Sequence, residues 1–150
     1  MLRQRERQQS GEFFQQLGKL AIAGGGAFWL ANVAISLTPI AAEYRAALSI
    51  AYLPMLLEAL LGGLMIGFCV SYCLLRFFDA LPTPNPILKS VIVSFIALLG
   101  VTLLIEAPAK FLAPTGAALR LFLIGTLFNV LRILALGVAI GYLAKEIHDE

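Results

Sequence analysis

Charged residues are scarce in this chain: they make up 13% of its 150 residues, where an average soluble domain has roughly 25%. Together with 60% hydrophobic residues and a mean hydropathy of +0.89, that scarcity excludes a soluble fold. Histidine occurs once, as His148 beside Asp149 and Glu150, which reads as a solvated tail rather than a metal site. The shortage also removes most catalytic constellations. The apolar runs hold no Ser–His combination, no paired histidines with a carboxylate and no Asp-rich metal motif. A membrane-embedded lipid enzyme would have to work through one carboxylate, a thin apparatus, so the chain is read as a non-enzyme that takes no cofactor. The only cysteines, Cys69 and Cys73, lie four residues apart in one apolar run. Two thiols on one helix face neither staple a fold nor complete a metal site, and they are read as packing residues. The formal charge of +2 is too small for a nucleic-acid footprint.

What the chain does contain is apolar sequence in runs of about 20 residues or more, enough for a helix to cross a hydrocarbon core ~30 Å thick. The runs cover 18–38, 49–78, 87–107 and 116–144. Open sheet edges cannot stand in lipid, and the short alternating pattern of barrel strands is missing, so the runs are helices. The expected fold is all-α: a polytopic four-helix transmembrane bundle forming a single integral membrane domain over 1–150, with the lipid bilayer as its first partner. Residues 1–17 form a basic, Gln-rich approach segment. The first run is longer than the roughly 7 to 15 residues of a signal core and carries Asn32 and a Gly24-Gly25-Gly26 run, which suits a packed helix better.

Prolines and caps mark the turns. In the stretch 81–86, Pro82, Pro84 and Pro86 cannot continue a helix, while Asn85 caps and Pro86 starts the third span. Thr38 and Pro39 repeat that signal, so a short interfacial helix over 39–47 is expected before the second span. Pro108 and Pro114 bracket the remaining loop. Seven basic residues (Arg3, Arg5, Arg7, Lys19, Arg76, Lys89, Lys145) fall on one side of the bundle and three (Arg45, Lys110, Arg120) on the other. The positive-inside rule then puts both termini in the cytoplasm of a cell with this protein in its cell membrane.

Two charges lie deep inside apolar runs, Glu58 and Arg132. A charge at the bilayer centre costs about 2.5 kcal/mol or more, so it faces a partner, a cavity or a pathway. At 1.5 Å per residue, Glu58 lies ~14 Å below the external end and Arg132 ~24 Å, two levels about 10 Å apart. Asn129 is one turn before Arg132, closer to the level of Glu58, and Asn32 lies ~9 Å below the external end with Ser36 on its face. Thr102 and Glu106, and Ser90 and Ser94, repeat the four-residue spacing in the third span. Glu106 with Lys110 has helix-pair spacing, but Pro108 between them leaves an external rim charge as the plainer reading. The expected ion or substrate site is therefore Glu58, Asn32, Asn129 and Arg132. Pro54, one turn before Glu58, is expected to free a carbonyl near residue 50 for such a site. In the structural alternative, Glu58 bonds one of the other three and locks the bundle.

Gly63 with Gly67, and Gly137 with Gly141, have the small-xxx-small spacing that lets membrane helices approach closely, within the bundle or in an oligomer. The leading functional expectation is a small transport or channel-like protein, homo-oligomeric or in a membrane complex, with Glu58 as the titratable group. Its rival is a non-catalytic assembly or scaffold subunit in which the same polar residues only set helix register.

Overall fold

A computed structural model describes residues 2–112 and 117–149. The side chains of residues 2–9, of Lys110, of His148 and of Asp149 lie outside that description, as do Pro114 and Gly116. Helix α1 runs Leu2–Ser36, α2 Pro39–Ala47, α3 Tyr52–Arg76, α4 Pro86–Val101, α5 Ala107–Phe111 and α6 Ala118–Asp149, with no strand among the described residues. Four segments are long and apolar enough to span a membrane: Ser10–Ser36, Tyr52–Arg76, Pro86–Ala109 and Ala118–Ile147. The chain is thus an all-α four-helix membrane bundle.

Two boundaries differ from the sequence expectation for physical reasons. The basic approach segment is not separate from the first span but continues it as helix, in keeping with the good helix propensity of Arg, Gln and Glu. The second span begins at Tyr52, and Ser49 belongs to the turn before it. There Ile50 N–H bonds the Arg45 carbonyl at 2.9 Å and Ser49 N–H bonds that of Ala46 at 3.2 Å. This pairing, with Ser49 at φ 53°, closes α2 as a Schellman turn. Pro54 consequently sits in the first turn of α3, where its missing N–H leaves no interior bond unmade.

The caps fall where the sequence places them. Thr38 Oγ1 accepts from Ala41 N–H at 3.3 Å, and Asn85 Oδ1 from Ile87 N–H at 2.9 Å. Between α3 and α4 the chain makes a 3-10 turn, Phe78–Ala80, whose Phe78 ring lies 3.8 Å under the Lys89 ammonium.

Helix α1 lies between α3 and α6, α4 packs on the other side of α6, and a lighter α3–α4 contact closes the ring. Glycines set the close approaches. A Cβ at Gly67 would lie 2.8 Å from the Ala21 carbonyl oxygen, and one at Gly63 2.8 Å from the Phe28 ring, so α1 and α3 touch almost backbone to backbone. Gly141 and Gly137 do the same for α6 on α4, with Ile87 Cα 2.5 Å and Val91 Cα 3.1 Å from the added atoms. Leu20, Val70, Leu74, Leu136 and Ile140 fill the core toward the end away from α2. Outward, α3 presents Leu53, Leu57, Leu61, Met65, Phe68 and Tyr72, an apolar stripe at helical spacing.

Candidate functional site

Asn32, Ser36, Glu106, Asn129 and Arg132 gather toward the α2 end. Asn129 stands between two charges: its Nδ2 donates to Glu106 Oε1, and its Oδ1 accepts from Arg132 Nη1 at 2.9 Å. The Arg132 guanidinium also lies 6.0 Å from the Phe28 ring centroid, within cation–π range. Side chains on a helix lean toward its N-terminus, and for α6 that is the α2 end. Arg132 therefore reaches up to Asn129, one turn earlier, and not down toward the opposite interface. Side-chain reach thus lifts Arg132 to the level of Asn129.

Glu106 enters this network through a local break in helix geometry. The segment Thr102–Glu106 is a π-helical turn, closed by Ala107 N–H on the Thr102 carbonyl, and α5 follows it directly. A proline has no N–H to give and crowds the turn before it. The wider π turn takes up that misfit, so the helix runs on through Pro108 to Phe111. Glu106 is accordingly half-buried and hydrogen-bonded to α6, where the sequence suggested a rim charge. π turns are frequent at functional sites.

These groups line a cavity of about 170 Å³ with Asn32 and Ser36 of α1, Tyr44 and Arg45 of α2, and Met55 of α3. At ~30 Å³ per water it has room for about five water-sized groups. Helix α2 roofs it. Arg45 is held there by Nη1 on the Ser36 carbonyl at 3.0 Å and by the Tyr52 ring, 5.2 Å from its guanidinium carbon. The Ser36 hydroxyl donates to the Val33 carbonyl at 2.6 Å and lies 3.3 Å from the Tyr52 hydroxyl.

Asn32 is the exceptional member. It is 1% exposed, and neither its Nδ2 nor its Oδ1 has a hydrogen-bond partner among the described residues. Leaving a buried polar group unpaired costs about 1–3 kcal/mol. Arg132 Nε and Glu106 Oε2 are buried without a partner among the described residues as well.

Glu58 is placed differently. It is exposed on α3 and borders a second, more open groove of about 210 Å³, whose other walls include Asn32, Phe28, Ala59 and Arg132. Of the four residues expected at the site, Asn32, Asn129 and Arg132 share the main cavity, and Asn32 and Arg132 also face the Glu58 groove. Glu58 itself has no hydrogen bond or ion pair among the described residues. Glu106 and Arg45 are the site residues that sequence reasoning did not include. The signal for Glu106 was its spacing from Thr102; nothing in the sequence pointed to Arg45 beyond its place on the interfacial helix.

No group of three metal-ligating side chains occurs among the described residues. Cys69 and Cys73 are free thiols, one exposed and one half-buried. Comparison of the chain with protein-family models, with curated proteins and with solved structures gave no match.

Proposed function

We propose that this membrane protein is a small, non-enzymatic transport or channel-like protein that takes a small polar solute or ion into the cavity under α2. The observation that carries this reading is Asn32, a fully buried amide with no partner among the described residues, beside Arg132, Asn129 and Glu106 in a space large enough for a solute. A bundle stabilised only by its own polar contacts has no use for such a group, whereas a site that exchanges water for solute does. The excess of basic residues at the end opposite α2 supports an orientation with the cavity facing outward, both termini cytoplasmic and the cell membrane as location.

The test is solute flux through vesicles reconstituted with the full chain, loaded in turn with potassium chloride, sodium gluconate and urea. At least one solute is expected to cross faster than in protein-free vesicles, and Asn32→Ala and Glu106→Gln are expected to slow it about tenfold or more. Absence of flux for all three removes the transport reading.

A second reading, an assembly or scaffold subunit, is favoured by Glu58. An exposed carboxylate beside Leu57 and Leu61 on a spanning helix is poorly served by lipid, and a partner helix or second copy over α3 would cover it. Loss of association in Glu58→Leu, measured by native mass spectrometry in detergent, is the result this reading expects.

A further inference from the structure

The cavity's own chemistry narrows the solute, on the premise that the cavity is a solute site. We infer that it binds a small monovalent anion, held between the Asn32 amide of α1 and the Arg132 guanidinium of α6. Two buried donors on residues that line the cavity under α2, Asn32 Nδ2 and Arg132 Nε, have no partner among the described residues.

Charge points the same way. The cavity is lined by two guanidinium groups, Arg45 and Arg132, and one carboxylate, Glu106. One oxygen of that carboxylate is engaged by Asn129, which hands its own oxygen to Arg132. The lining thus carries one positive charge in excess, in surroundings where charges act over a low dielectric. A single negative charge balances it, and a dianion would reverse it. A cation, by contrast, finds no cluster of acidic ligands among the described residues. Size sets the other limit. About 170 Å³ admits chloride, nitrate, formate or acetate, and rejects a polyol acid such as gluconate. Arg45, fixed at the α2 roof by Ser36 and Tyr52, places the second positive charge in the cavity lining, where it favours arrival of an anion. Glu58 lines the neighbouring groove and not this cavity.

The experiment is a thermal melt of the full chain in detergent as sodium gluconate is replaced by sodium chloride at constant ionic strength. Chloride is expected to raise the melting temperature along a saturating curve, by about 5–10 °C when it exceeds its dissociation constant a hundredfold. Asn32→Leu removes an unpartnered amide without adding bulk in a new direction, so it is expected to melt at or above the wild-type temperature in gluconate. It is expected to lose the chloride response. Asn32→Ala serves the same purpose should leucine disturb packing, and Arg132→Gln is expected to weaken the response tenfold or more. A wild-type melt that is the same in both salts, or a response that both Asn32 variants keep, overturns the proposal. Chloride binding without flux would remove the transport reading and leave the anion site standing; potassium or urea flux without a chloride response would do the reverse.

Discussion

Substituting Asn129 by leucine tests whether the link between Glu106 and Arg132 organises the interior. Asn129 alone joins the two charges, through Nδ2 to Glu106 and Oδ1 to Arg132 at 2.9 Å. A hydrogen bond to a charged group contributes about 1.5–3 kcal/mol, so losing both removes about 3–6 kcal/mol. Arg132 and Glu106 carry opposite charges on packed helices, and partial closure of one on the other returns some of this. The expected net loss is about 2–4 kcal/mol. The measurement is reversible unfolding in mixed micelles titrated with a denaturing detergent, followed by helicity. Glu58→Gln is the companion variant: exposed and without a partner, Glu58 is expected to matter by less than about 0.5 kcal/mol. An Asn129→Leu protein within 0.5 kcal/mol of wild type, or a larger loss in Glu58→Gln, would refute the argument that the first carboxylate is structurally engaged and the second is not.

Three other outcomes follow from local geometry. Ser49→Gly is expected to stabilise the chain by about 1 kcal/mol in the same titration, because glycine adopts the φ of 53° that serine holds at a penalty. Gly67→Ala is expected to cost about 1–3 kcal/mol, since the new atom meets the Ala21 carbonyl at 2.8 Å. Gly62→Ala points into open space and is expected to be neutral or to gain up to ~1 kcal/mol of helix propensity; equal effects for the two glycines would contradict the close α1–α3 approach. With Cys69 and Cys73 replaced by alanine, Pro84→Cys is expected to react with a membrane-impermeant maleimide only from the cytoplasmic side, and Glu43→Cys only from outside; the opposite pattern would invert the orientation.

The spans were legible because their signal is one of length and apolarity, which needs no neighbour to be read. Caps are equally local: Thr38 and Asn85 bond N–H groups within three residues of themselves. Glycine spacing indicated close helix contacts, and the structure supplies the partners, α1 for Gly63 and Gly67 and α4 for Gly137 and Gly141. Carboxylate placement was harder to read. In a soluble protein a polar face marks the outside of a helix, but a helix in lipid is apolar on most faces and does not announce which one turns inward. Glu58, nearly two turns inside its span, is exposed, while Glu106, two residues before a proline near the end of its span, is the one that reaches Asn129.

Taken alone, the sequence determined that this is a four-helix membrane protein, with a short capped helix at one end and polar residues at odds with their surroundings. Those properties arise from solvent preference and from bonds between near neighbours in the chain. Tertiary structure decided which polar residues meet. The π turn that carries α4 past Pro108 aims Glu106 at α6, and the lean of α6 side chains lifts Arg132 to Asn129. Packing of α1 between α3 and α6 then seals Asn32 without a partner beside them. Such meetings depend on the rotation of each helix about its axis, which is set by side-chain packing between helices and is written in no single stretch of the chain.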